Sequence, residues 1–210
     1  MKRIFPFLLP FFLIIFACSL LKLDRDRDYE LLLKENLEKW RSFRIDGIIE
    51  VNYKNYAFRK NIAVRKKESI GRIDIYDTGL FGLRPSPFIS IFVDSMITID
   101  LPENPNPVVV QTEEISRNQP SLHYLMHLND LFQFKTMIIK DHKINLDQLI
   151  FEFSTEMELI MIKDKDTEDQ IAFSYQDELI GMKFFNRGQE FAKIQIDKIS
   201  YNNIKINRIK

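Results

Sequence analysis

Three groups of side chains have types and spacings that could carry chemistry. His123 and His127 stand four apart in "HYLMH", which on a helix sets both imidazoles on one side, within reach of a shared metal. The glutamate of a zinc hydrolase is missing and His142 is the only other histidine, so solvent-facing histidines beside an apolar stripe are the simpler reading. Asp164, Asp166 and Glu168 alternate in "DKDTED", as calcium ligands do. A calcium loop of EF type needs a glycine at its sharp turn, and without one a solvated hairpin end is expected. The third group is one residue, Cys18, the only thiol of the chain. No GxSxG, HExxH, GxGxxG, phosphate loop or CxxC occurs. The sequence thus predicts no catalytic residue, no metal and no cofactor, and the chain does not read as an enzyme. An enzyme using an unrecognised carboxylate or histidine site is the third of three readings.

Cys18 sits where an apolar run ends. Lys2 and Arg3 precede "IFPFLLPFFLIIFA", and no further charge comes before Lys22. Roughly 20 apolar residues cross a bilayer. However, a basic start, a short apolar stretch with Pro6 and Pro10, and a small residue at its end fit a secretory signal better. "Ile15-Phe16-Ala17-Cys18" resembles a bacterial lipobox, from which Phe16 departs in size. The resemblance implies cleavage before Cys18, a diacylglyceryl thioether on its sulfur and acylation of the new amino group. Several acyl chains anchor a protein firmly, at about 0.8 kcal/mol per buried methylene. Ser19, where aspartate would signal retention, implies the periplasmic face of the outer membrane.

The expected organisation is a signal peptide over 1–17, a lipidated tether over 18–28 and one domain over 29–210. Removing the signal leaves 193 residues, with 28 basic against 30 acidic side chains. That is enough chain for a real core. It shows no basic face and no nucleic-acid motif, which excludes a nucleic-acid partner from the reading. With Cys18 on lipid no internal disulfide forms, so packing alone must hold the fold.

The elements follow from periodicity. Tyr29, Leu33, Leu37 and Trp40 form one stripe at spacings of four, four and three, predicting a helix that packs on a sheet. From Phe43 the period changes to two: Phe43, Ile45, Ile49, Val51 and Tyr53 alternate with Arg44, Asp46, Glu50 and Asn52. After a turn at Lys54 and Asn55, Tyr56, Phe58, Ile62 and Val64 line a second strand. "SIGRIDIYD", "FISIFVDSMITIDL" and "VVVQTEE" continue the pattern, interrupted by "PENPNP". "QPSLHYLMHLNDLF" predicts a second helix that buries Leu122, Leu125, Met126 and Phe132. Strands return at "TMIIKD", "QLIFEFST", "MELIMIKD", "QIAFSYQ", "LIGMKFFN", "EFAKIQIDKI" and a tail near "NNIKINRI". Short strands joined by tight polar turns predict an antiparallel meander, hence an α+β fold with one large curved sheet and two helices. Phe88, Ile89, Ile91, Phe92 and Val93, like Leu159 to Ile162, are apolar on both faces, which predicts cover on both.

"TGLFGLRPSPF", residues 78–88, reads as a loop by its glycines and prolines, yet its tip is apolar. Such a loop either contacts a membrane or partner, or folds back to close a core. With "LEKWRSFRIDGIIEVNY", "RIDIYDTGLFGL", "ISIFVDSMITIDLP" and "QPSLHYLMHLNDLF", the chain resembles the LolA/LolB-like family of periplasmic lipoprotein carriers and receptors. The resemblance implies an incomplete, half-open β-barrel with helices capping an apolar cavity for acyl chains. It implies a membrane or cargo contact at Leu80, Phe81 and Leu83. The implied cavity would be lined by Trp40, Ile91, Val93, Leu125, Met126, Phe153 and Phe173. Implied partners are acyl chains of lipids or lipoproteins, the membrane through the anchor, and a periplasmic carrier protein. The rival reading is a structural or assembly lipoprotein with a filled barrel and a protein partner.

Overall fold

The computed structural model describes residues 28–77, 87–101, 104, 106–111, 125–201 and 204–207. The expectations for the signal peptide, Cys18, the loop side chains Leu80, Phe81 and Leu83, Leu122 and His123 lie outside the described residues. Among the described residues no helix is long and apolar enough to cross a membrane.

A helix, α1, spans residues 28–39. Six strands follow: β1 (Ser42–Tyr53), β2 (Tyr56–Lys67), β3 (Ile70–Tyr76), β4 (Pro87–Val93), β5 (Met96–Asp100) and β6 (Val108–Gln111). A 3-10 helix (Leu128–Phe134) runs into α2 (Lys135–Asp141). The remaining strands are β7 (Lys143–Leu146), β8 (Leu149–Phe153), β9 (Leu159–Asp164), β10 (Gln170–Gln176), β11 (Glu178–Asn186) and β12 (Gln189–Tyr201). All twelve form one antiparallel sheet in the order β6-β5-β4-β3-β2-β1-β12-β11-β10-β9-β8-β7. The first and last strands therefore meet at the centre, and among the described residues the sheet is not closed, with β6 and β7 at its edges.

The sheet's two faces follow the period-two pattern. Register places Ile45 beside Val64 and Ile199, Ile62 beside Ile75, and Ile73 beside Ile91 on one face, which the helices cover. The predicted helical stripe lands there: Leu33, Leu37 and Trp40 are buried and Tyr29 packs beside them. At the central seam β12 carries an extra residue opposite Asp46 and Gly47. A Cβ on Gly47 would lie 2.2 Å from the Gln195 carbonyl oxygen, so only glycine fits this approach.

Three sequence expectations are corrected. "TMIIKD" is not a strand but most of α2: Ile138 is fully buried while Met137 is half-exposed, a helical and not an alternating pattern. His142 ends that helix in the left-handed conformation, and its N–H donates to the Ile138 carbonyl. "NDLF" is 3-10, not α-helical. The tail at 204–207 is not a strand; it crosses the other face, where Arg72 donates to the Asn207 carbonyl and Ile204 is buried. Phe92, beside Arg72 by register, is buried on this same face, away from the helices.

Candidate functional site

The helix-covered face divides into two parts. From β7 to β11 it is filled: Leu149, Phe151, Phe153, Leu159, Ile162, Ile171, Phe173 and Met182 are all buried against α1, the 3-10 helix and α2. Trp40 packs edge-on against Phe43 and Phe173, with ring centroids 5.6 and 5.3 Å apart. Phe153 and Phe173, expected to line a cavity, are core side chains and do not border the one narrow space beside them. That space is a slot of about 20 Å³ between the end of α1 and the sheet, which Trp40 does line. It has room for roughly one water and not for an acyl chain.

The slot's buried lining is Leu37, Trp40, Phe43, Ile45, Met157, Leu159 and Leu179, and its outer lining includes Lys39, Glu158, Asp177 and Glu178. Tyr175 donates its hydroxyl to the Leu159 carbonyl at 2.9 Å. Burial pushes that phenol far up, and pushes the Tyr201 phenol up to about 12. Burial also raises the Glu158 carboxyl, against the pull of Lys39. Both phenols stay neutral at physiological pH, so the slot offers hydrogen bonds but no phenolate base.

Lys66 stands at the border of the two parts. It is 2% exposed, on the apolar face, and donates Nζ to the Trp40 carbonyl at 2.6 Å, just past the end of α1. A cation there satisfies a carbonyl that the helix leaves open and suits its negative end. Desolvation nonetheless pulls the ammonium down to about 8.

From β3 to β6 the same face is only partly covered. On it Ile73, Ile89, Ile91, Val93 and Ile99 are half-buried, with Val110 at the edge strand, while Ile75 and Ile97 on the same face are buried. Met126 lies over this patch: a Cβ on Gly71 would meet its Cε at 3.0 Å and the Val93 Cβ at 3.8 Å. Leu125 packs beside it against the core. The structure therefore brings Val93 and Met126 together, with Ile91 on the same face, while Leu125 packs against the core cluster that holds Trp40, Phe153 and Phe173.

Behind the patch, on the opposite face, lies a group that the sequence reading missed. Register aligns Arg44, Arg65 and Arg72 in one row, and Asp46, Ala63, Asp74, Ser90 and Asp100 in the next. Asp74 is 2% exposed and accepts from Arg65 Nη1 at 2.5 Å, Arg72 Nε at 2.9 Å and Ser90 Oγ at 2.7 Å. Burial pushes its carboxyl up, but the bonds from Arg72, Ser90 and Arg65 together outweigh that and hold it below its ordinary range. The repeated "RID" at 44–46 and 72–74 was the signal, since it puts Arg and Asp on one face in each strand.

The remaining candidates are structural. Asp164 is buried, and its carboxylate accepts the N–H groups of Asp166 and Thr167, so "DKDTED" is a turn organised by its first residue. His127 lies 3.8 Å from the Asp130 carboxylate beside a surface groove of about 470 Å³. Among the described residues no three His, Cys, Asp or Glu side chains converge as metal ligands. No protein-family profile matches the chain, and no curated protein sequence does.

Proposed function

We propose that this chain is an outer-membrane-anchored lipoprotein that takes acyl chains of lipids or lipoproteins on the β3–β6 half of the helix-covered face and passes them to the membrane. The observation that carries the reading is the half-covered patch of Ile73, Ile89, Ile91, Val93 and Ile99 with Met126 above it. β-Branched side chains give a smooth apolar wall, and methionine adapts to a ligand of variable shape. An acyl chain gains about 0.8 kcal/mol for each methylene sheltered from water. A half-open wall shelters only part of the chain, so it binds loosely enough to release. The resemblance to LolA/LolB-like carriers and the lipobox-like segment before Cys18 agree with this role.

A second reading is favoured by the filled β7–β11 half and the 20 Å³ slot: an assembly lipoprotein whose apolar patch docks a protein partner. Native mass spectrometry with lipid extraction on the domain lacking Cys18 separates the two. An acyl-bearing ligand at one per chain, lost in Ile91→Glu with circular dichroism unchanged, is the expected result. An empty protein that also refuses a fluorescent fatty acid would rule out acyl binding and leave the docking surface.

A further inference from the structure

Four aromatic rings line the slot at the end of α1: Trp40, Phe43, Tyr175 and Tyr201. Its outer lining carries the carboxylates of Glu158, Asp177 and Glu178 and one cation, Lys39. The β10–β11 turn, with Asp177 in the left-handed conformation, places two of those carboxylates here. Lys39 is engaged elsewhere, since its Nζ donates to Asn36 Oδ1 at 2.9 Å. Among the described residues none of the three carboxylates forms an ion pair.

Oxygen acceptors within the slot are open as well. Tyr175 directs its proton to the Leu159 carbonyl, and among the described residues no group donates to its oxygen or to that of Tyr201. Beyond burial, Glu158 raises the Tyr175 phenol, and Glu178 and Glu158 raise that of Tyr201, so negative potential reaches the slot's interior. Glu158 itself is partly desolvated, with only the pull of Lys39 against that cost. Aromatic rings, neutral hydroxyl oxygens and unpaired carboxylates together favour a cation.

Size selects which cation. Room for about one water is room for an ammonium head, whereas a quaternary ammonium or a guanidinium would need several times that space. A metal ion would need several converging ligand side chains, and no such group occurs among the described residues. We propose that the slot binds a primary ammonium group, held by the Glu158 carboxylate and the Tyr175 and Tyr201 hydroxyls beside the Trp40 ring. Its three N–H donors match those three oxygen-bearing groups. The rest of the ligand lies outside, past Asp177 and Glu178, and is either a free amine or the aminoethyl phosphate headgroup of a lipid.

Trp40 is the only tryptophan, so a single indole N–H resonance reports on the slot. The full chain, isotope-labelled at tryptophan and held in nonionic micelles, is titrated with ethylammonium chloride at constant ionic strength. The expected result is a saturable shift with a Kd on the order of 1 mM, the ceiling for so small a ligand. Tetramethylammonium, equal in charge and too large, should give no saturable shift. Glu158→Gln and Tyr201→Phe should each weaken ethylammonium about tenfold, the usual loss of one bond to a charged group. Glu50→Gln, near the far end of β1, should change nothing. Circular dichroism checks that each variant folds, and either slot variant suffices. A shift that never saturates, or an equal response to tetramethylammonium, would mean general attraction of cations to acidic side chains and overturns the proposal. Unchanged binding in the slot variants overturns it too. Ile91→Glu should leave the ethylammonium shift unchanged, so this site and acyl binding on the β3–β6 wall fail separately. In that same variant ethanolamine and dihexanoyl phosphatidylethanolamine distinguish the sources: tighter binding of the lipid assigns the slot to a headgroup, and equal or weaker binding to a free amine.

Discussion

The two halves of the helix-covered face are built from the same strand geometry and different side chains. From β7 to β11 leucine, phenylalanine and methionine join Ile162 and Ile171, interlocked with three helical segments and closed to water. From β3 to β6 it is almost all isoleucine and valine, with Ile75 and Ile97 buried and the rest half-covered. Flexible or aromatic side chains fill irregular space around helices, whereas β-branched ones stiffen a surface. The first half supplies stability. The second has apolar area to spare for a ligand.

The sharpest way to break that comparison is to empty both halves. Phe151→Ala should cost about 4 kcal/mol in urea unfolding, the usual loss for a fully buried ring. Ile91→Ala should cost about 1 kcal/mol, because only part of its surface leaves water on folding. Equal losses would mean that the β3–β6 wall is core as well.

Asp74 tests what stiffens the wall from behind. Asp74→Asn leaves Arg65 and Arg72 facing a neutral group, and should cost about 3 kcal/mol at neutral pH. The wild-type carboxyl is held below its ordinary value of 3.8, so its contribution is present above that pH and lost as pH falls through the depressed value. The variant should lack this component of acid unfolding. Identical acid limbs for the two proteins would remove Asp74 from the account.

Lys66, at the border, gives a smaller effect than Asp74 and of opposite sign. Its ammonium titrates at about 8 in the folded chain and 10.5 when free, so the unfolded chain binds the extra proton between those values. Stability from this group is therefore complete above 10.5 and lost as pH falls through about 8. Lys66→Met should raise stability at pH 7 by about 2 kcal/mol, offset in part by the lost bond to the Trp40 carbonyl, and should flatten the rise toward alkaline pH. A melting temperature that drops instead would show that capping α1 outweighs the buried charge.

The legible parts of this fold were those where one physical pattern dominates. Strand β1, and β2 as far as Val64, alternate, and the α1 stripe has helical spacing, so burial could be read from the letters. "TMIIKD" failed because two adjacent isoleucines look like strand, while the signal that won was a single buried Ile138 and a left-handed His142. "KINL" was passed over because four residues are too short to show a period. The division of the apolar face could not be read at all: Ile91 and Phe153 look alike as letters, and differ only in what the helices cover. Lys66 broke the alternation of β2, and a lysine among apolar positions is where a buried cation is worth suspecting.

The pairing of β1 with β12 also constrains how the chain is assembled. Each wing of the sheet is a meander of near neighbours, which can fold as soon as it exists. The seam between the wings joins residues roughly 150 apart in sequence and closes last. Until β12 arrives, β1 presents an unpaired edge of twelve residues, a length matched by β2 and exceeded only by β12 among the described strands. A chain cut short before Gln189 would keep that edge open for good. The expected fate is strand-to-strand aggregation, and the C-terminal strand acts as the molecule's own guard against it.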